Sequence, residues 1–108
     1  MANPNILNQN PILIYGTMGS YKAAVQASQG SYITLRIIKV IWLNPKLAGD
    51  VALITDPADG SQLLKLVATL PYAGVAAITQ TQDFRPPKLW ADFQVTQLDS
   101  GELEIWTI

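Results

Sequence analysis

The stretch YITLRIIKVIWLNPKLAGDVALIT, residues 32–55, decides the fold class. Its first half is dense in β-branched side chains, which suit a pleated strand and crowd a helix. Thr34 and Arg36 alternate with Ile33, Leu35 and Ile37, the period of two expected of a half-buried strand. Lys39 then falls on the apolar side. One extra residue near Ile37-Ile38, a β-bulge, returns Lys39 to the polar face and turns Val40 and Trp42 inward. The run stops at Asn44-Pro45, and a second apolar run, VALIT, begins after Gly49-Asp50. The intervening LNPKLAGD carries one cation, Lys46, and nothing that activates a nucleophile, so it reads as a connection that turns the chain.

Strand and turn signals continue beyond this stretch. DPADGS (56–61) is rich in turn residues and separates VALIT from QLLKLVATL (62–70) as a hairpin connection does. GVAAITQTQDF (74–84) reads as strand and loop, and RPPK (85–88) as a rigid break. LWADFQVTQL (89–98) and ELEIWTI (102–108) flank Asp99-Ser100-Gly101. A three-residue loop with Gly101 in the left-handed conformation predicts a hairpin with Leu98 opposite Glu102 and Val95 beside Ile105. That register places Trp90 with Asp92, Gln94 and Thr96, and Trp106 with Glu102 and Glu104. Both indoles then lie on polar faces, where another layer of the chain covers them or they anchor a partner. Short strands spaced in this way predict an all-β fold, a small antiparallel β-sandwich or barrel.

The N-terminal region has a different texture. Residues 1–21 contain no charge and carry Asn3, Asn5, Asn8 and Asn10, prolines at 4 and 11, and the apolar block ILIY at 12–15. This predicts an extended arm, residues 1–31, with one short strand that docks on its own sheet or on a neighbouring subunit, preceding a sandwich domain at 32–108. SYKAAVQASQ (20–29) is ambiguous: its alanines favour helical turns, while Tyr21, Ala23, Val25 and Ala27 alternate as in a strand, the reading favoured here. Candidate partner-binding residues are Ile6, Leu7, Ile12, Leu13, Ile14 and Tyr15 of the arm, with Trp90 and Trp106.

Composition narrows the function. Charged residues are 14% of the chain, against about 25% in an ordinary soluble domain. So thin a charge cover on a small protein leaves neutral or apolar surface of the kind found at partner interfaces. The formal net charge is −1, and the two arginines and five lysines are dispersed in the sequence, so no nucleic acid or membrane partner is expected. Lys39 also interrupts the best apolar run, well short of a membrane span. Histidine and cysteine are absent, which removes disulfides, thiol nucleophiles, imidazole bases and the common zinc sets. The carboxylates sit at turns or scattered on strands, with no converging pair for acid–base work. DPADGS departs from a calcium loop, with Ala58 and Gly60 where oxygen ligands are needed. GTMG (16–19) lacks the Lys-Ser/Thr of a phosphate cradle. No cofactor, metal or enzymatic activity is expected.

IKVIWLNPKLAGDVALITDPADGSQLLKLVA followed by PPKLWADFQVTQLDSGELEIW resembles small structural proteins of tailed-bacteriophage virions, over residues 36–106. The resemblance rests on Trp42, Asn44, Ala48, Gly49, Asp50, Asp59, Gly60 and Trp90, then Leu98, Ser100, Gly101, Leu103 and Ile105. It implies a virion component without an enzymatic site. Together with the uncharged arm it gives the expectation of a capsid decoration, or cement, protein. Such a protein would be a homo-oligomer, with a trimer favoured, binding the major capsid protein on the head surface. The alternative is a head-fibre or tail-associated module that recognises glycan or another virion protein, marked by an exposed Trp90 or Trp106.

Overall fold

The computed structural model describes residues 5–7, 9–29, 35–69 and 79–108. The expected strand start at 32–34, the break at Gly30-Ser31 and the segment 74–78 lie outside them. The elements are β1 (Ile12–Ile14), α1 (Tyr21–Gln29), β2 (Leu35–Leu43), β3 (Val51–Thr55), β4 (Gln62–Val67), β5 (Gln80–Trp90), β6 (Gln94–Leu98) and β7 (Glu102–Thr107). They form two antiparallel sheets, ordered β1-β7-β2-β5 and β4-β3-β6, packed face to face as an all-β sandwich.

Alternation decides what enters the core. In the larger sheet Ile12, Ile105 and Val40 lie side by side, and so do Ile14, Leu103 and Trp42. These six are at most 1% exposed. Ala52 and Ile54 of β3, Val95 of β6 and Phe93 join the same cluster from the smaller sheet. Burying each large apolar side chain is worth about 1.5–3 kcal/mol, which makes this interlayer contact the dominant favourable contribution. The bulge expected near Ile37-Ile38 is present: both ladders of β2 shift register between Ile37 and Lys39.

The β3–β4 hairpin forms as expected around Asp56–Ser61. The last pair of strands does not. β6 pairs with β3, with Leu98 opposite Ala52 and Val95 opposite Ile54. β7 pairs with β2 and β1 in the other sheet. Asp99–Gly101 is therefore an arch between layers, and Val95 and Ile105 belong to facing sheets rather than to one ladder. Two strands with apolar residues at alternate positions satisfy that pattern equally well side by side or face to face. Tertiary bonds select the arch: the Trp42 Nε1 donates to the Ser100 carbonyl at 2.8 Å, and the Val51 N–H to Asp99 Oδ2 at 2.8 Å. Gly101 does take the left-handed conformation, with φ of 70°, and a Cβ there would collide with the Leu43 carbonyl oxygen.

SYKAAVQASQ is a helix, not a strand. Ser20 caps it, its Oγ accepting from the Ala23 N–H at 3.1 Å. Asp92 accepts from the Lys22 N–H at 2.8 Å and from the Ser20 hydroxyl at 2.5 Å, placing a carboxylate at the positive end of the helix. Tyr21 and Val25, one turn apart, are buried, and Tyr21 stacks on Phe93 with ring centroids 4.9 Å apart.

Of the two docking modes open to the short strand of residues 1–31, the chain's own sheet takes it. β1 is an integral strand of the larger sheet, flanked by β7 and by a bridge from Ile6 to Leu13. Further on, Met18 bridges Val95 of β6 through two 3.0 Å backbone bonds, so one short segment joins both sheets. Asn5 Oδ1 accepts from the Tyr15 and Gly16 N–H groups at 2.7 and 3.2 Å and fixes the fold-back.

Candidate interaction surface

The two connections bearing six of the thirteen residues quoted for the phage resemblance meet at one end of the sandwich. Ser100 donates its hydroxyl to Asp50 Oδ2 at 2.6 Å and accepts from the Lys46 N–H at 2.9 Å. Asp50 Oδ2 also accepts from the Leu47 N–H at 3.2 Å. With the Trp42 and Gly101 contacts, these bonds lock the β2–β3 connection onto the β6–β7 arch. Asp59 likewise serves a turn. Its Oδ1 accepts from the Ser61 N–H at 2.9 Å, and hydrogen bonds from Ser61 hold its carboxyl below the usual range. These positions are architectural; each carboxylate is committed to backbone donors rather than to a cleft.

The surface face lies on the other side of the larger sheet. Register places Ile6, Leu13, Glu104, Ile41 and Thr81 in one row across it. Trp106, Lys39 and Asp83 form the adjacent row. Lys39 Nζ lies 5.1 Å from the Trp106 ring centroid, and the indole Nε1 donates to Glu104 Oε1 at 3.2 Å. Trp106 is therefore half-buried, with its ring under an ammonium. At the far end Arg36 pairs with Leu89, and its carbonyl accepts from the Ile108 N–H at 3.1 Å. Leu89 and Ile108, 66% and 76% exposed, flank it.

The anticipated partner-binding residues divide between the two faces. Ile12, Ile14 and Trp90 are 1%, 0% and 4% exposed, so their side chains belong to the chain's own core and offer nothing to a partner. Trp90 reverses its expected side because Ala91–Phe93 carries the chain from one layer to the other, and alternation does not persist across that step. It packs against Phe84 and Phe93 at centroid separations of 6.3 and 5.7 Å. Leu7 packs on the core, and Tyr15 is half-buried. Ile6, Leu13 and Trp106 lie on the outer face of the larger sheet. An aromatic open for sugar stacking therefore cannot be Trp90.

Sequence spacing concealed one feature. Arg36 and Lys39 on β2 and Arg85 and Lys88 on β5 are brought together by strand pairing: Ile37 opposes Lys88 and Lys39 opposes Asp83. Phe84–Pro87 stand against the single residue Ile38, a wide bulge that keeps RPPK within a strand rather than ending one. The cations that are dispersed along the chain are grouped in space. Long-range pairing is the signal, and no local pattern carries it.

Comparison with family models, curated proteins and solved structures returned no match to this chain.

Proposed function

We propose that this protein is a non-enzymatic virion structural protein, a decoration protein that binds and stabilises a bacteriophage head shell. The observation that carries the reading is the outer face of the larger sheet. Ile6, Leu13, Ile41 and Trp106 lie there across four adjacent backbone segments, interleaved with Lys39, Asp83 and Glu104. Such a face suits burial against another polypeptide, with an indole near its centre as anchor. The low charge content and the phage-like strings in the sequence support the same reading. The partner is the major capsid protein, and the chain acts as a homo-oligomer, with a trimer favoured. Binding uses apolar and aromatic burial, not chemistry.

Because the arm supplies Ile12 and Ile14 to the core, deleting it would not isolate capsid binding. The test therefore targets the outer face. Purified protein is co-sedimented with expanded phage shells that lack it, and occupancy is read by electron microscopy. Saturable binding is expected, weakened at least about tenfold, or 1.4 kcal/mol, by Trp106→Ala. Failure of the folded wild-type chain to sediment with any such shell overturns the proposal.

A further inference from the structure

The β5 bulge opens a notch of about 320 Å³, lined by the apolar Ile38, Phe84, Pro86 and Pro87 and by the charged Lys39, Arg85 and Asp83. Lys88 lines the groove that continues from it to Leu89, and Arg36 pairs with Leu89, so four of the seven cations of the chain lie on these two strands. Asp83 is the one carboxylate on either strand. The remaining seven carboxylates and three lysines lie elsewhere, so a chain of net charge −1 carries one distinctly positive corner. Pro86 and Pro87 have no N–H, so this part of β5 cannot be extended by another strand. An occupant must enter by its side chains.

Nucleic acid fits poorly. Phe84 is half-buried and Trp106 already has an ammonium over its ring, which leaves few aromatic faces for base stacking. The chain itself carries a better match. Asp92 holds the helix terminus, Asp50 and Asp99 hold the arch, and Glu104 holds the indole. Asp56 and Asp59 brace a surface turn of their own and bracket Pro57 and Ala58, giving acid, apolar, apolar, acid in four residues. Ala58 and Asp59 are exposed. The turn is braced by the Gly60 N–H donating to the Asp56 carbonyl at 2.7 Å and by the Ala58 N–H donating to Asp56 Oδ1 at 2.9 Å. A loop already held in shape loses little entropy when it docks.

We propose that a second copy of the chain inserts its Asp56–Gly60 turn into the cationic notch of the first. Pro57 and Ala58 meet the apolar lining, while Asp56 and Asp59 meet Arg85, Lys88 and Lys39. The proposal rests on the homo-oligomeric part of the reading above and is independent of capsid binding. Notch and turn are different surfaces, so the contact is either repeated around a ring or exchanged reciprocally in a pair.

The full-length protein is examined by sedimentation equilibrium over a concentration series, at low salt and at about 1 M salt, where charges are screened beyond roughly 3 Å. At low salt the mass should rise above the 11.8 kDa monomer, and at high salt it should return to it. Arg85→Glu with Lys88→Glu, and separately Asp56→Lys with Asp59→Lys, should each remain monomeric. Mixing the two variants should restore association, because each then presents what the other lacks. Ala58→Arg, which keeps every hydrogen bond of the turn, should weaken association at least tenfold. A wild-type chain that stays monomeric at low salt overturns the proposal, as does association unaffected by these variants. Monomers that still occupy capsids overturn it too, while leaving the capsid-binding part of the reading standing.

Discussion

The side-chain amide of Asn10 acts as a strand partner for Thr107, accepting from its N–H at 3.0 Å and donating to its carbonyl at 2.8 Å. Two residues before Ile12, the first paired position of β1, a side chain continues the ladder where Pro11 has no N–H to offer. The contact makes the N-terminal segment part of the sheet.

Truncation should therefore be catastrophic. Removing residues 1–20 deletes Ile12 and Ile14 and uncovers β7, so the remainder should fail to give a cooperative thermal transition. Ile14→Ala alone should cost about 2–5 kcal/mol, and Asn10→Ala about 1–2 kcal/mol, both read by urea denaturation. A folded truncation variant of unchanged stability would refute this assignment.

Gly101→Ala should destabilise by at least about 2 kcal/mol, from a left-handed backbone combined with a clash against main chain. Gly60→Ala, at a φ of 74° but with open space around it, should cost less. The comparison separates conformational strain from collision, and equal effects would show that the collision is relieved.

Removing the helix cap by Ser20→Ala should cost about 1 kcal/mol. Asp92→Ala should cost more, since that carboxylate also accepts from the Lys22 and Phe93 N–H groups at 2.8 Å. Chemical denaturation of both variants tests the ranking.

Burial raises the Tyr21 phenol above its ordinary value. The folded state thus favours the neutral ring, and its contribution is complete below the unfolded value of 10.0 and lost as pH rises through the higher folded one. Stability should fall above about pH 10, and Tyr21→Phe should flatten that slope. An unchanged alkaline slope would assign it to other groups.

Tryptophan emission offers a check on the layers. Trp42 and Trp90, 0% and 4% exposed, should resist acrylamide, and Trp106→Phe should remove most of the quenchable signal.

Elements that depend on local chemistry are readable in the sequence. Lys39 on the wrong face announced the bulge, and DPADGS announced its hairpin. α1 was misread although Ser20 and the Tyr21/Val25 spacing were present, because alternating Tyr and Ala mimics a strand and the Asp92 contact lies some seventy residues away. The arch at Asp99–Gly101 was misread as a hairpin because inward alternation has no information about which layer a strand joins. For the surface, Trp106 was legible from its acidic neighbours, whereas Trp90 was not, since its side depends on the step at Ala91–Phe93. The cationic corner required the β2–β5 register.

The pairing of β1 with β7 also orders events during synthesis. β1 is made before β7 and must wait, with Ile12 and Ile14 unsheltered, until residues 102–107 have left the ribosome. Closure of the sandwich is thus a late, long-range step, which favours slow folding and gives chaperones a window on the nascent chain.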